Sequence, residues 1–156
     1  MGQGPSHNHH FLGGIGQWLQ SDLVGLAQGA GIAYSHPRIA PAIVNHTDLP
    51  HAHGVFQTMR GELRVGWAFD QASRRVDINV TLPPNVVGAV LMPCVTDTVE
   101  ESGKAVWRAG AFVPGAVGVT DAHLSKSRGG AEMHAEFACS GGGQYSFSAL
   151  CSTQAT

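Results

Sequence analysis

Charge is scarce in this sequence. Only 13% of its 156 residues are Asp, Glu, Lys or Arg, and 9 basic against 11 acidic side chains leave a formal charge of −2. A nucleic-acid binder needs a concentrated basic face. Here the arginines come as short scattered pairs, Arg60 with Arg64 and Arg74 with Arg75, so no nucleic-acid partner is expected. Long apolar runs are missing too. The longest candidate, Val76 to Met92, is broken by Asp77, Asn79, Pro83, Pro84 and Asn85. It falls short of the ~20 apolar residues of a membrane helix, and no membrane partner is expected. The N-terminus lacks the basic region and continuous apolar run of a secretory signal. If Met1 is the true start, the expected location is cytoplasmic.

Cysteine is sparse as well. Cys94, Cys139 and Cys151 make an odd number, in a chain long enough to bury ~68–70% of its unfolded surface. Buried thiols are expected rather than a disulfide framework. The short motifs exclude more than they offer. Gly103-Lys104 is followed by Ala105 where a phosphate loop needs Ser or Thr, and Thr98 occupies the first glycine position. Gly14-x-Gly16 is followed by Leu19 at the third glycine of a dinucleotide fingerprint. His7, His9 and His10 lack a third ligand set at metal spacing, and His51 with His53 reads as two solvent-facing histidines on one strand face. Neither a cofactor nor a metal is expected.

What is present begins with Ser6-His7-Asn8-His9-His10-Phe11-Leu12-Gly13-Gly14-Ile15-Gly16-Gln17-Trp18-Leu19. Phe11, Ile15, Trp18 and Leu19 fall on one helical stripe, which Leu23 and Leu26 continue. Ser6 or Asn8 is placed to cap the helix. Its three glycines each cost ~1 kcal/mol relative to Ala, and isolated helices of ~15 residues are marginal even without them. Such a helix is expected among neighbours that approach its backbone closely.

After about residue 30 the period changes to two. Leu63, Val65, Trp67 and Phe69 alternate with Glu62, Arg64, Gly66 and Ala68, the pattern of a half-buried strand. Val76, Ile78, Val80 and Leu82 repeat it, and the Asp70–Arg75 link predicts an antiparallel hairpin. Pro83-Pro84-Asn85 stops the second strand, and 86–92 resumes as a buried one. Segments 131–138 and 145–150 flank Ser140-Gly141-Gly142-Gly143 and predict another hairpin. Weaker strands are expected over 39–44, 55–59, 105–107 and 117–120. The class is mainly β, an antiparallel β-sandwich (jelly-roll-like) preceded by one N-terminal α-helix. Its core over about 36–150 should contain Leu63, Val65, Trp67, Ile78, Val80 and Leu91. Trp67 is expected in that core rather than as a sugar-stacking platform, and Trp107 is weighed between the same two roles.

The N-terminal stretch resembles the Ser-x-Asn-His-x-x-x-Gly-x-x-Gly-x-Trp-Leu segment near the end of the catalytic barrel of bacterial-type α-L-rhamnosidases, glycoside hydrolase family 78. The resemblance continues in order along the chain. Gly25-Leu26-Ala27 is similar to the family's Ala-Gly-Ile helix end, and His36-Pro37-Arg38-Ile39-Ala40-Pro41 to its first strand after the barrel. Arg60-Gly61-Glu62-Leu63-Arg64-Val65-Gly66-Trp67 resembles its hairpin, and Val80-Thr81-Leu82-Pro83-Pro84-Asn85 its Val-Thr-x-Pro-x-Asn turn. Glu101-Ser102-Gly103-Lys104 and Ser140-Gly141-Gly142-Gly143-Gln144-Tyr145-Ser146-Phe147 are similar to its closing strands.

The resemblance implies residues 1–30 as the terminal helix of an (α/α)6 catalytic barrel and residues 31–156 as a C-terminal sandwich. It implies a glycosidase that releases terminal α-L-rhamnose with inversion, acting on rhamnose-containing glycosides. Inversion uses two carboxyl groups flanking the scissile bond. The family's acid and base glutamates precede the Asn-His segment, so this chain is expected to carry no catalytic residue and to be inactive alone. His9 aligns with a histidine facing the bound rhamnose, where imidazole can donate and accept hydrogen bonds, and Asn8 would orient its loop. Gln17 stands where many relatives carry Glu, so no ion pair is carried over there. The chain's partners would be the missing barrel and, through the N-terminal helix, a second copy. The alternative is a free-standing, non-catalytic β-sandwich that binds carbohydrate or protein.

Overall fold

The protein's structure, a computed structural model, describes residues 14–43, 49–94, 96–126 and 133–152. A short helix, α1 (Gly14–Trp18), leads through a π-helical turn (Leu19–Leu23) into the strands. These are β1 (Leu26–Gln28), β2 (Pro37–Ile39), β3 (His51–Thr58), β4 (Gly61–Asp70), β5 (Arg75–Leu82) and β6 (Gly88–Leu91). Then follow β7 (Thr98–Glu101), β8 (Lys104–Arg108), β9 (Ala111–Phe112), β10 (Val119–Lys126), β11 (Met133–Cys139) and β12 (Gly143–Leu150). One sheet has the order β1-β2-β6-β11-β10, the other β3-β4-β5-β12-β7-β8-β9. Among the described residues only β2 and β6 pair in parallel. The expected β-sandwich, with its leading helix, is what forms.

Period-two patterning builds the core. Leu63, Val65, Trp67 and Phe69 turn inward from β4, and Val76, Ile78, Val80 and Leu82 from β5. The other sheet answers with Leu26, Ile39, Val90, Ala135 and Phe137. Phe137 reaches across, with its ring centroid 5.2 Å from that of Phe147 on β12 and 6.4 Å from that of Trp107 on β8. The β4–β5 hairpin closes between Asp70 and Arg75. Its turn is held by Asp70, which accepts from Ala72 N–H at 3.0 Å and from Ser73 Oγ at 2.5 Å. These bonds, the Ser73 hydroxyl foremost, hold the Asp70 carboxyl below its ordinary range.

Several expectations are corrected. Residues 131–138 and 145–150 do not make a hairpin. β11 pairs with β10 and β6 in one sheet, whereas β12 pairs with β5 and β7 in the other. The glycine-rich turn therefore carries the chain between sheets, and positive φ at Gly141, Gly142 and Gly143 lets it bend out of plane. Glu100-Glu101 lies in β7 rather than in a turn, with Glu101 turned inward. Leu26, read on the helical stripe, is instead the first residue of β1. Leu91 is buried, but beside the core residue Val90 it packs on the opposite side of its sheet, since strand neighbours alternate faces.

The cysteine expectation is also overturned. Cys94 and Cys151 form a disulfide, S–S 2.03 Å with Cα atoms 5.6 Å apart, across 57 residues of sequence. It ties the segment after β6 in one sheet to the end of β12 in the other. Cys139 is a free, buried thiol whose ionisation burial pushes up to about 12, which makes it a poor nucleophile.

Candidate functional site

The predicted substrate contacts, Asn8 and His9, lie outside the described residues, as do Phe11 and Leu12. What the structure shows is how the segment after them meets the sandwich. Ile15, Trp18 and Leu19 stand exposed on one side of α1 and the following turn, with Ile15 65% and Trp18 52% accessible. The segment is pinned just beyond them. Trp67 Nε1–H donates to Leu23 O at 2.7 Å, and Ala42 N–H donates to Asp22 O at 2.8 Å. Gln20 Nε2 donates to the Tyr34 hydroxyl at 2.9 Å, and Leu23 packs against the core. Gly25 then turns the chain into β1 with φ of +86°, and a Cβ there would sit 2.2 Å from Pro41 N. Only glycine fits that approach. The result is an apolar helical stripe held away from the core by a firmly seated base.

The carboxylates are dispersed. Glu62 pairs with Arg64 at 2.6 Å, Asp77 with Arg75 at 2.9 Å and Glu136 with Arg38 at 3.0 Å. Asp97, Glu100 and Asp121 are exposed, and Asp70 is engaged in its turn. Glu101, 5% exposed, is the buried one: its Oε1 accepts from Ser102 Oγ at 2.6 Å and from Ser146 N–H at 3.3 Å. Asp48 and Glu132 lie outside the described residues. Trp67 and Trp107 are both in the core, which leaves neither face free to stack on a sugar. His51 and His53 are exposed on one face of β3. Among the described residues no group of three His, Cys, Asp or Glu side chains is arranged to hold a metal ion, and no helix is long and apolar enough to cross a membrane.

The outer face of the seven-stranded sheet has a feature that the sequence reading passed over. Register aligns His53, Gly66, Asn79 and Ser146 in one row across β3, β4, β5 and β12, and Val55, Arg64, Thr81 and Gln144 in the next. Gly66 leaves a depression of about 540 Å³ between these rows. A Cβ on Gly66 would meet His53 Cβ at an ordinary 3.5 Å, so neither crowding nor backbone requires glycine. Such a glycine costs a strand ~0.5–1 kcal/mol relative to Ala and marks a place where something approaches the backbone. A second depression, about 570 Å³, shares Ser102, Gln144 and Tyr145 with the first. It runs to Glu101, Lys104 and the glycine turn at the sandwich end. The sequence signal was a glycine inside a strictly alternating strand. The continuation to Glu101 had none, because that residue read as part of a turn.

Known structures share this architecture. The structure of alpha-L-rhamnosidase from Dictyoglumus thermophilum superposes with a TM-score of 0.66 at 19% identity, covering 92% of this chain and 14% of that one. The Streptomyces avermitilis alpha-L-rhamnosidase, solved with L-rhamnose, gives 0.62 at 22% identity, covering 92% and 11%. The chain thus spans only a small part of the length of either enzyme. No curated protein matches it in sequence. Residues 25–106, more than half of the chain, match the family model of the bacterial alpha-L-rhamnosidase C-terminal domain, and the chain belongs to that family.

Proposed function

We propose that this chain is the C-terminal portion of an α-L-rhamnosidase, a glycosidase acting on rhamnose-containing glycosides with inversion. In this reading the segment up to Leu23 completes the (α/α)6 barrel as its terminal helix, and the sandwich that supports it begins at β1 rather than at the expected residue 31. The observation that carries the reading is the apolar stripe of Ile15, Trp18 and Leu19, exposed on a helix anchored to a domain of this family. A free-standing binding module would leave that stripe without purpose, since contiguous exposed apolar surface marks an interface.

The chemistry then divides between parts of the enzyme. The acid and the water-activating base of an inverting glycosidase must flank the bond from opposite sides, ~6.5–9.5 Å apart. In this reading both stand on the barrel ahead of this chain, and the scattered carboxylates described above agree with that. His9 contributes a hydrogen bond to a rhamnose hydroxyl, and Asn8 orients the loop; both position substrate and transfer no catalytic proton. Two measurements test the reading. The 156-residue chain should not hydrolyse an aryl α-L-rhamnoside. In the full-length enzyme, His9→Ala should lower kcat/KM about 10–100-fold with the fold intact, the loss of one or two positioning hydrogen bonds. Turnover by the chain alone that an acidic-residue substitution abolishes would overturn it, as would unchanged His9→Ala kinetics.

A further inference from the structure

We propose that the groove on the outer face of the seven-stranded sheet binds a neutral carbohydrate chain, a site separate from the barrel and independent of the rhamnosidase reading. Four observations carry it. First, the lining has the right polarity. Asn79, Thr81, Gln144 and Ser146 offer amides and hydroxyls, and the one guanidinium among them, Arg64, is neutralised by Glu62 at 2.6 Å. The other cation of the groove, Lys104, stands in the second depression beside the Glu101 carboxylate, so the joined depressions carry one charge of each sign, and an apolar peptide helix would find little to bury.

Second, these groups are available. Among the described residues the side chains of His53, Asn79, Thr81 and Gln144 make no hydrogen bond, so their donors and acceptors face only solvent. They stand on β3, β5 and β12, of which β5 and β12 are neighbours ~4.7–4.9 Å apart, so a single pyranose ring reaches side chains of two strands at once. A hydrogen-bonded sheet holds them in place, which lowers the ordering cost of binding. Third, Gly66 sits at the centre of the floor with no steric or dihedral need for glycine, and its missing side chain lets a ring lie against the backbone. Fourth, the groove continues past Ser102 and Gln144 to Glu101. That residue is 95% buried yet lines the depression, and its hydrogen bonds from Ser102 Oγ and Ser146 N–H both go to Oε1. A fixed acceptor of this kind suits a pair of sugar hydroxyls. The two joined depressions give room for a chain rather than one ring. No exposed aromatic ring lines them, so recognition rests on hydrogen bonds and the affinity is weak.

The test is a two-dimensional amide NMR titration of the 156-residue chain with rutinose, cellopentaose and xylopentaose. The expected result is saturable shifts at Gly66, Asn79, Ser102 and Gln144 with at least one of these sugars, at a Kd on the order of 1 mM. Gly66→Val fills the floor from a Cβ that meets only ordinary contacts and should weaken binding at least about tenfold, and Gln144→Ala should do the same from the rim. If Gly66→Val fails to fold, Gln144→Ala and Asn79→Ala, both at exposed positions, decide the matter. Absence of saturable shifts with all three sugars would overturn the proposal. So would affinity unchanged in the rim variants, or shifts confined to residues 14–23.

Discussion

Replacing Cys94 and Cys151 together by alanine removes the one covalent link between the sheets among the described residues. The bond closes 57 residues of chain. A cross-link of that span removes ~14 cal/mol/K of entropy from the unfolded ensemble, about 4 kcal/mol at 25 °C. Both residues are buried in the core, so losing their sulfur contacts adds to the cost, whereas residual structure in the unfolded chain subtracts from it. The expected net loss is about 3–5 kcal/mol. In a chain of this length that lowers Tm by roughly 6–20 °C. Urea titration followed by tryptophan emission reads the transition, because Trp67 and Trp107 are both buried. The freed unfolded chain expands, so the m-value should rise as the midpoint falls. Reductant added to the parent protein in urea should reproduce the variant's curve. A loss below ~1 kcal/mol with unchanged m would show that the sulfurs are not joined and would refute the entropic argument. The intact mass of unreduced protein should also lie two hydrogens below that of the reduced form.

Truncating Trp67 to Ala should cost ~3–5 kcal/mol, as large-to-small core changes do, and should free Leu23 O from its bond; a loss under ~1 kcal/mol would put the indole back among sugar platforms. Asp70's folded carboxyl titrates below its unfolded value of ~3.9, so its stabilisation is full above about pH 4–5 and disappears as pH falls through the lower folded value. Asp70→Asn should therefore flatten the acid limb of the stability–pH curve, and coincident acid unfolding profiles would remove the turn from the account. Removing residues 1–18 should leave a better-behaved monomer by light scattering, since Ile15 and Trp18 are the exposed apolar residues of α1. Removing 1–24 should destabilise the sandwich through loss of Leu23 and Val24. In the intact monomer the amides of α1 should exchange far faster than those of β4 and β5; equal protection would mean the helix has an unnoticed seat on the chain.

Local pattern was enough to specify the strongest parts of this fold. β4 and β5 read directly from the sequence because each has one face in the core and one in water, so burial repeats every second residue. The Pro83-Pro84-Asn85 stop is equally local, a matter of missing donors and fixed φ. The family resemblance, too, lies in the order of short motifs. Pairing between distant segments was not legible. Two strands flanking a glycine turn look like a hairpin whether they join one sheet or bridge two, and β11 and β12 bridge two. An odd number of cysteines says nothing about which sulfurs meet, and Cys94 and Cys151 meet only because the sheets bring their ends together. Glu101 follows Glu100 in sequence yet is buried, because β7 sits between β12 and β8 and alternation turns it inward. Gly66 illustrates the division. Its place in a strand was written in the alternation, but the groove above it exists only where four strands align His53, Gly66, Asn79 and Ser146 in register. Strand periodicity is a property of neighbours along the chain; registry and sheet membership depend on contacts between residues far apart in sequence, which no local pattern encodes.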